Sequence, residues 1–136
     1  MKKTLLFTVI VGIFLVPVLA FGSSLTGTIQ GFNCVTQGKV CPVGKEDPMA
    51  ATEKVFVLWD AKGEKFYFVP NVDSKIMARH INQMVMIEGT YNNKFRAIKA
   101  DNIYIMENMK WRKVWSQDFN DEIYREYLGG SPWSGK

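Results

Sequence analysis

From Leu25 to Phe32 the chain alternates with a period of two, Leu25, Gly27, Ile29 and Gly31 opposing Thr26, Thr28 and Gln30. That period, with glycines on one side, predicts a strongly bent first strand. Lys54 to Trp59 and Lys65 to Val69 predict two more strands, joined by Asp60-Ala61-Lys62-Gly63-Glu64, which has the composition of a hairpin turn. Pro70-Asn71 stops the third strand. The spacing of Val72, Ile76, Met77, His80 and Ile81 then becomes helical, with Asn71 or Asp73 as N-cap. A fourth strand follows, with Met84, Met86 and Glu88 on one face and Val85 and Ile87 on the other. Gly89 to Asn93 supplies a turn, and Phe95 to Met106 a fifth strand in which Ala100-Asp101-Asn102 marks a bulge.

Two stretches break this pattern. Asn33 to Thr52 holds Gly38, Pro42, Gly44, Pro48 and both cysteines, and predicts a long loop. Glu107 to Lys136 holds three of the four tryptophans, Trp111, Trp115 and Trp133. Within it Asp118 is the expected N-cap of a helix through Leu128. Phe119, Ile123 and Tyr127 form its stripe, Tyr124 and Leu128 widen it, and Gly129-Gly130 and Pro132 end it.

The first residues change the compartment. Lys2 and Lys3 precede an uncharged run from Leu5 to Ala20, and Val18-Leu19-Ala20 is a signal-peptidase pattern. We expect a signal peptide over residues 1–20, with an alternative cut after Gly22, and a periplasmic or secreted bacterial protein that meets the membrane only through its signal. Leu5 to Phe21 approaches the length of a membrane span, but Pro17 and the short run suit a cleaved signal better. Losing Lys2 and Lys3 lowers the net charge from +4 to +2, too weak a balance to argue for nucleic acid. The remaining length suits one modest core.

Strand, long loop, two-strand hairpin, helix, strand, strand is the order of the five-stranded Greek-key barrel called the OB-fold, with its helix between strands three and four. Leu25-Thr-Gly-Thr-Ile-Gln-Gly, the loop Cys34 to Pro48, Val55-Phe-Val-Leu-Trp-Asp and Val85-Met-Ile-Glu-Gly-Thr together resemble small exported bacterial OB-fold proteins. The resemblance covers about residues 25–106, and its motifs specify the barrel rather than a ligand. It implies an all-β barrel over residues 24–108 with accessory helices, followed by an aromatic extension over residues 109–136 with a helix at about 118–128.

Candidate chemistry is sparse. Cys34 and Cys41, two cysteines in one loop of an exported chain, predict a disulfide. The alternative assigns Cys34, Cys41 and His80, with nearby methionines, to copper or zinc, although C-x6-C is no recognised metal spacing. The alternation of Met84 and Met86 with Val85 and Ile87 predicts that these methionines fill the barrel. No G-x-S-x-G elbow and no phosphate-binding glycine loop occurs, His80 is the sole histidine, and we expect neither catalysis nor a cofactor. The expected activity is therefore binding of an envelope or extracellular partner, protein or glycan. The candidate contacts are Trp59, Tyr67, Trp111, Trp115, Phe119, Ile123 and Tyr127. Tyr67 must face opposite to Phe66 and Phe68. The helix stripe either packs on its own barrel or offers itself to a groove in another protein.

Overall fold

The structure, a computed structural model, describes residues 22–41 and 52–127. The expected signal peptide, Pro42 to Pro48 of the loop, and the residues from Leu128 through Trp133 lie outside the described residues. The elements in order are β1 (Ser23–Gly31), α1 (Phe32–Thr36), β2 (Phe56–Asp60), β3 (Lys65–Phe68), α2 (Ser74–Ala78), β4 (Met84–Asn92), a single 3-10 turn (Asn93–Phe95), β5 (Ala97–Glu107), β6 (Lys110–Ser116) and α3 (Gln117–Tyr127).

The strands form one mostly antiparallel, barrel-like sheet in the order β3-β2-β1-β4-β5-β6, with a further parallel contact between β3 and β5. β1 serves both halves: Ser23 to Thr28 pair with β4, and Thr28 to Gly31 pair with β2. The strand bends between these partners, at Gly27, where a Cβ would sit 2.3 Å from the Trp59 carbonyl oxygen. Gly89 in β4 meets the same constraint, a Cβ there falling 2.0 Å from the Lys99 oxygen. Opposite it the register slips, Gly89 facing Ala100 and Glu88 facing Asn102. Asp101 is thus the extra residue of the bulge expected over 100–102.

Closure between β3 and β5 depends on few atoms. The Phe68 N–H donates to the Arg96 carbonyl at 2.8 Å, and Phe68 opposes Ala97. Three residues beyond β3, the Asn71 side chain takes over from the backbone. Its Nδ2 donates to the Ala100 carbonyl at 2.7 Å and its Oδ1 accepts from the Ala100 N–H at 2.8 Å, as a strand residue would. Nδ2 also donates to Gln117 Oε1 at 2.6 Å, which ties the start of α3 to the seam. Of the two N-caps expected for α2, Asp73 is the one used, accepting from the Lys75 N–H at 2.7 Å.

Inward alternation builds the core from Ile29, Leu58, Val85, Ile87, Ile98, Ile103 and Ile105, with Val72 and Met77 of the α2 segment at one end. Met84 and Met86 do not fill it: Val85 and Ile87 take the inner positions, and the two methionines face outward.

The sheet has six strands where five were expected, because the extension contributes β6, antiparallel to β5. Its hairpin turns on Asn108 and Met109, at φ 50° and 61°, the backbone of a type I′ turn. Asn-Met lacks the glycine that usually signals this turn, and a register shift opposite Ile103 and Tyr104 blurs the alternation of Trp111-Arg-Lys-Val-Trp115. Trp115 pairs with Ile103 and is buried, its Nε1–H meeting no acceptor among the described residues.

Asn71→Ala should lower stability in urea by about 2 to 4 kcal/mol, since it leaves the buried N–H and C=O of Ala100 without partners. Trp115→Phe forfeits no hydrogen bond seen among the described residues but leaves a cavity where part of the indole was, and should cost about 1 to 3 kcal/mol in the same assay.

Candidate functional site

The segment after β1 folds back over the outside of the barrel instead of running free. Gln30, buried on the outer face, holds it: Oε1 accepts from the Cys41 N–H at 2.7 Å, and Nε2 donates to Asn82 Oδ1 at 2.8 Å. Asn82 in turn donates to the Cys41 carbonyl at 2.8 Å. Beneath this strap Phe32 of α1 packs on Phe66 and Phe68, ring centroids 5.4 and 5.5 Å away, and Val57 is fully buried. The sulfurs of Cys34 and Cys41 lie 3.0 Å apart, a thiol contact longer than an S–S bond, and Cys41 Sγ accepts from the Gly31 N–H at 3.2 Å.

This packing settles the facing of the β3 aromatics. Phe66 and Phe68 point outward under Phe32, while Tyr67 packs against the core with its ring 5.7 Å from Tyr91. Burial, and then the neighbouring Tyr91 and Asp60, raise the Tyr67 phenol above its ordinary value.

Where the strap ends, an open groove of about 790 Å³ runs along the β3–β5 seam, lined by Phe68, Pro70, Thr90, Asn92, Phe95, Ala97 and Lys99. One wall is the turn between β4 and β5. The Asn92 side chain accepts from the N–H groups of Lys94 and Phe95, at 3.1 and 3.4 Å, and Arg96 closes the turn at φ 47°. The turn therefore projects Phe95, 62% exposed, with a cation on either side of it in the sequence. Lys94 Nζ sits 5.4 Å from the Phe95 ring centre, and the Arg96 guanidinium 6.0 Å from that of Phe66. An exposed ring, an apolar floor, Lys94 beside the ring and Lys99 in the lining together suit a ligand with a flat apolar face and negative charge. Asn93-Lys94-Phe95-Arg96 carries the signal in the sequence, an aromatic between cations, but the segment reads first as a turn and a strand start.

The seven residues expected to bind do not form one site. Trp59 is half-buried beside a smaller cavity of about 340 Å³ with Val35, Val40 and Glu64. Trp115 is buried in the core, and Tyr67, half-buried, packs against the core's edge. Trp111 lies exposed on the outer face of β6 opposite Met106. Phe119, Ile123 and Tyr127 point away from the barrel, while Gln117, Asn120, Asp121 and Tyr124 are the partly covered positions of α3. Ser116 Oγ, not Asp118, accepts from the Phe119 N–H at that helix's start. His80 Nδ1 is 2.7 Å from Gln83 Oε1. Among the described residues no three His, Cys, Asp or Glu side chains come together to hold a metal, so Cys34, Cys41 and His80 do not form a ligand set. Among the same residues no helix is long and apolar enough to cross a membrane.

Gln30→Ala should loosen the strap before the barrel. Amide hydrogen exchange at Cys41 should quicken at least about tenfold, the equivalent of one lost net hydrogen bond, while Val85 and Ile103 keep their protection.

No protein-family model, curated protein or solved structure matches the chain.

Proposed function

We propose that the chain is an exported, non-catalytic OB-fold module that binds an acidic envelope or extracellular glycan in the groove at the β3–β5 seam. The observation that carries this reading is Phe95, held out by the β4–β5 turn with Lys94 over its ring and Lys99 in the groove lining. Supporting the OB assignment, β1 through β5 follow one another around the barrel as β1-β2-β3-β5-β4, with α2 between β3 and β4. OB barrels bind oligosaccharides and oligonucleotides on the face of strands two and three and in the loops between strands one and two and four and five. Here the strap, which is the described part of the first of those loops, covers part of that face and leaves β3, β5 and the β4–β5 turn accessible. In this reading Phe95 stacks on a sugar face and the cations pair with its carboxylates.

A second reading makes α3 an arm for a partner protein. It rests on the outward stripe of Phe119, Ile123 and Tyr127, flanked by four acids and one arginine, which suits an apolar groove with a basic rim.

Titration with a uronic-acid oligomer and with a neutral oligosaccharide of equal length tests the first reading by calorimetry. Binding should favour the acidic oligomer, weaken with salt, and fall at least about tenfold in both Phe95→Ala and Lys99→Glu. Equal affinity for the neutral sugar would sink it. Loss of partner capture only when Phe119, Ile123 and Tyr127 are replaced by Ser would favour the second reading.

The export reading includes cleavage and oxidation. The protein recovered from its own secretion without reductant should have the mass of residues 21–136 or 23–136 less two hydrogens. Cys34→Ser with Cys41→Ser should then lower stability by about 2 to 3 kcal/mol, the entropy of a short closed loop. A mass showing two free thiols would remove the disulfide.

A further inference from the structure

We propose that the outer face of β4, β5 and β6, at the end of the barrel away from the groove, binds a soft monovalent cation, Cu(I) or Ag(I), through the thioethers of Met84, Met86 and Met106 with the Trp111 ring beside them. The inference stands apart from the groove and from the two cysteines. It begins with the outward turn of β4, whose Met84 is 50% exposed. Thr28 faces Met84, Thr26 faces Met86, and Met86 faces Tyr104. Val85 pairs with Ile105, so the next position along the register sets Met84 against Met106, and Met106 faces Trp111. Met84, Met106 and Trp111 thus stand in one row across three strands, with Met86 two residues along on the same face.

Same-face neighbours lie about 5 Å apart across strands and about 7 Å apart along one. A methionine has three rotatable side-chain bonds, so three sulfurs at that spacing can converge on one ion without moving the backbone. The hairpin tip beside the row adds a second observation. Met109, 94% exposed, holds φ at 61°, a backbone that glycine or asparagine adopts at less cost. Of the five methionines among the described residues, only Met77 is core; the other four gather at this end of the outer face.

The chemistry of that donor set is selective. Thioethers are soft and uncharged, which favours Cu(I) over zinc or calcium, and an indole face attracts a cation. The surrounding charges already have partners of their own, one of them charged. Glu107 pairs with Arg112 at 2.6 Å, Lys113 donates to Asn102 at 2.7 Å and lies over the Tyr104 ring, and Glu88 accepts from the Tyr104 hydroxyl at 2.9 Å. Lys110 stands opposite Glu107 at the row's edge. No carboxylate stands in the row itself, and Glu88, the next outward residue after Met86, is occupied by Tyr104 and Asn102.

The test is titration of the full exported chain with silver nitrate, followed by the ¹³C methyl resonances of labelled methionine and by tryptophan fluorescence. One equivalent of Ag(I) should shift the methyls of Met84, Met86 and Met106, quench Trp111 and leave Met77 in place. Met84→Leu with Met106→Leu should weaken uptake at least tenfold with the melting temperature unchanged, because both side chains lie outside the core. Uptake that leaves these methyls unmoved, whether at Cys34 and Cys41 or at His80, would overturn the proposal, as would full affinity in the double leucine variant. Should that variant fail to fold, the methyl shifts of the unsubstituted chain decide the matter alone.

Discussion

The barrel depends on closing a seam for which the chain supplies too little strand. β3 is four residues long and offers β5 one backbone bridge, at Phe68. Left there, the N–H and C=O of Ala100 would be buried without partners, at a cost comparable to a substantial share of a small domain's stability. The Asn71 amide removes that cost by presenting a donor and an acceptor in the geometry of a peptide group. The same side chain reaches Gln117, so the seam also fixes where α3 leaves the sheet.

Much of the surface follows from that closure. Strand β1 must serve two neighbours and bend between them, so Gly27 lies against the Trp59 backbone, and the bulge opposite Gly89 brings Lys99 equally close. At the seam two strands meet by so little backbone that a groove remains beside them, and the β4–β5 turn stands over it. Nearby, the strap from Phe32 to Cys41 covers the rest of the β2–β3 outer face and leaves a second small core around Val57. Gln30 holds that strap by charge-neutral hydrogen bonds within a buried setting, where each is expensive to break.

The two candidate binding features occupy opposite ends of β4 and β5. Thr90, Asn92 and Lys99 lie at the groove; Met84, Met86 and Met106 lie at the other end, beside the β5–β6 hairpin. One end offers an aromatic ring among hard cationic donors, and the other offers neutral, polarisable sulfur. These are different chemistries on one rigid pair of strands, and they are separable by substitution for that reason.

Period-two alternation placed β1 to β5 within a few residues, the helical spacing of Val72, Ile76 and Met77 placed α2, and the bulge at Asp101 was legible from Ala100-Asp101-Asn102. These are local properties: steric preference and alternation act over a few residues and leave a record in composition. Facing was not legible, because alternation says that Met84 and Val85 point oppositely without saying which is inside. Only the neighbouring strands decide that, and they buried Val85 and set Tyr67 against the core while turning Met84, Phe66 and Phe68 outward. For the same reason Trp111 and Trp115, alike in sequence, divide between surface and core, and Asn71, legible as a helix cap, became the bond that closes the barrel. Its partner, Ala100, lies 29 residues along the chain, and a contact across such a distance exists only after the strands have packed.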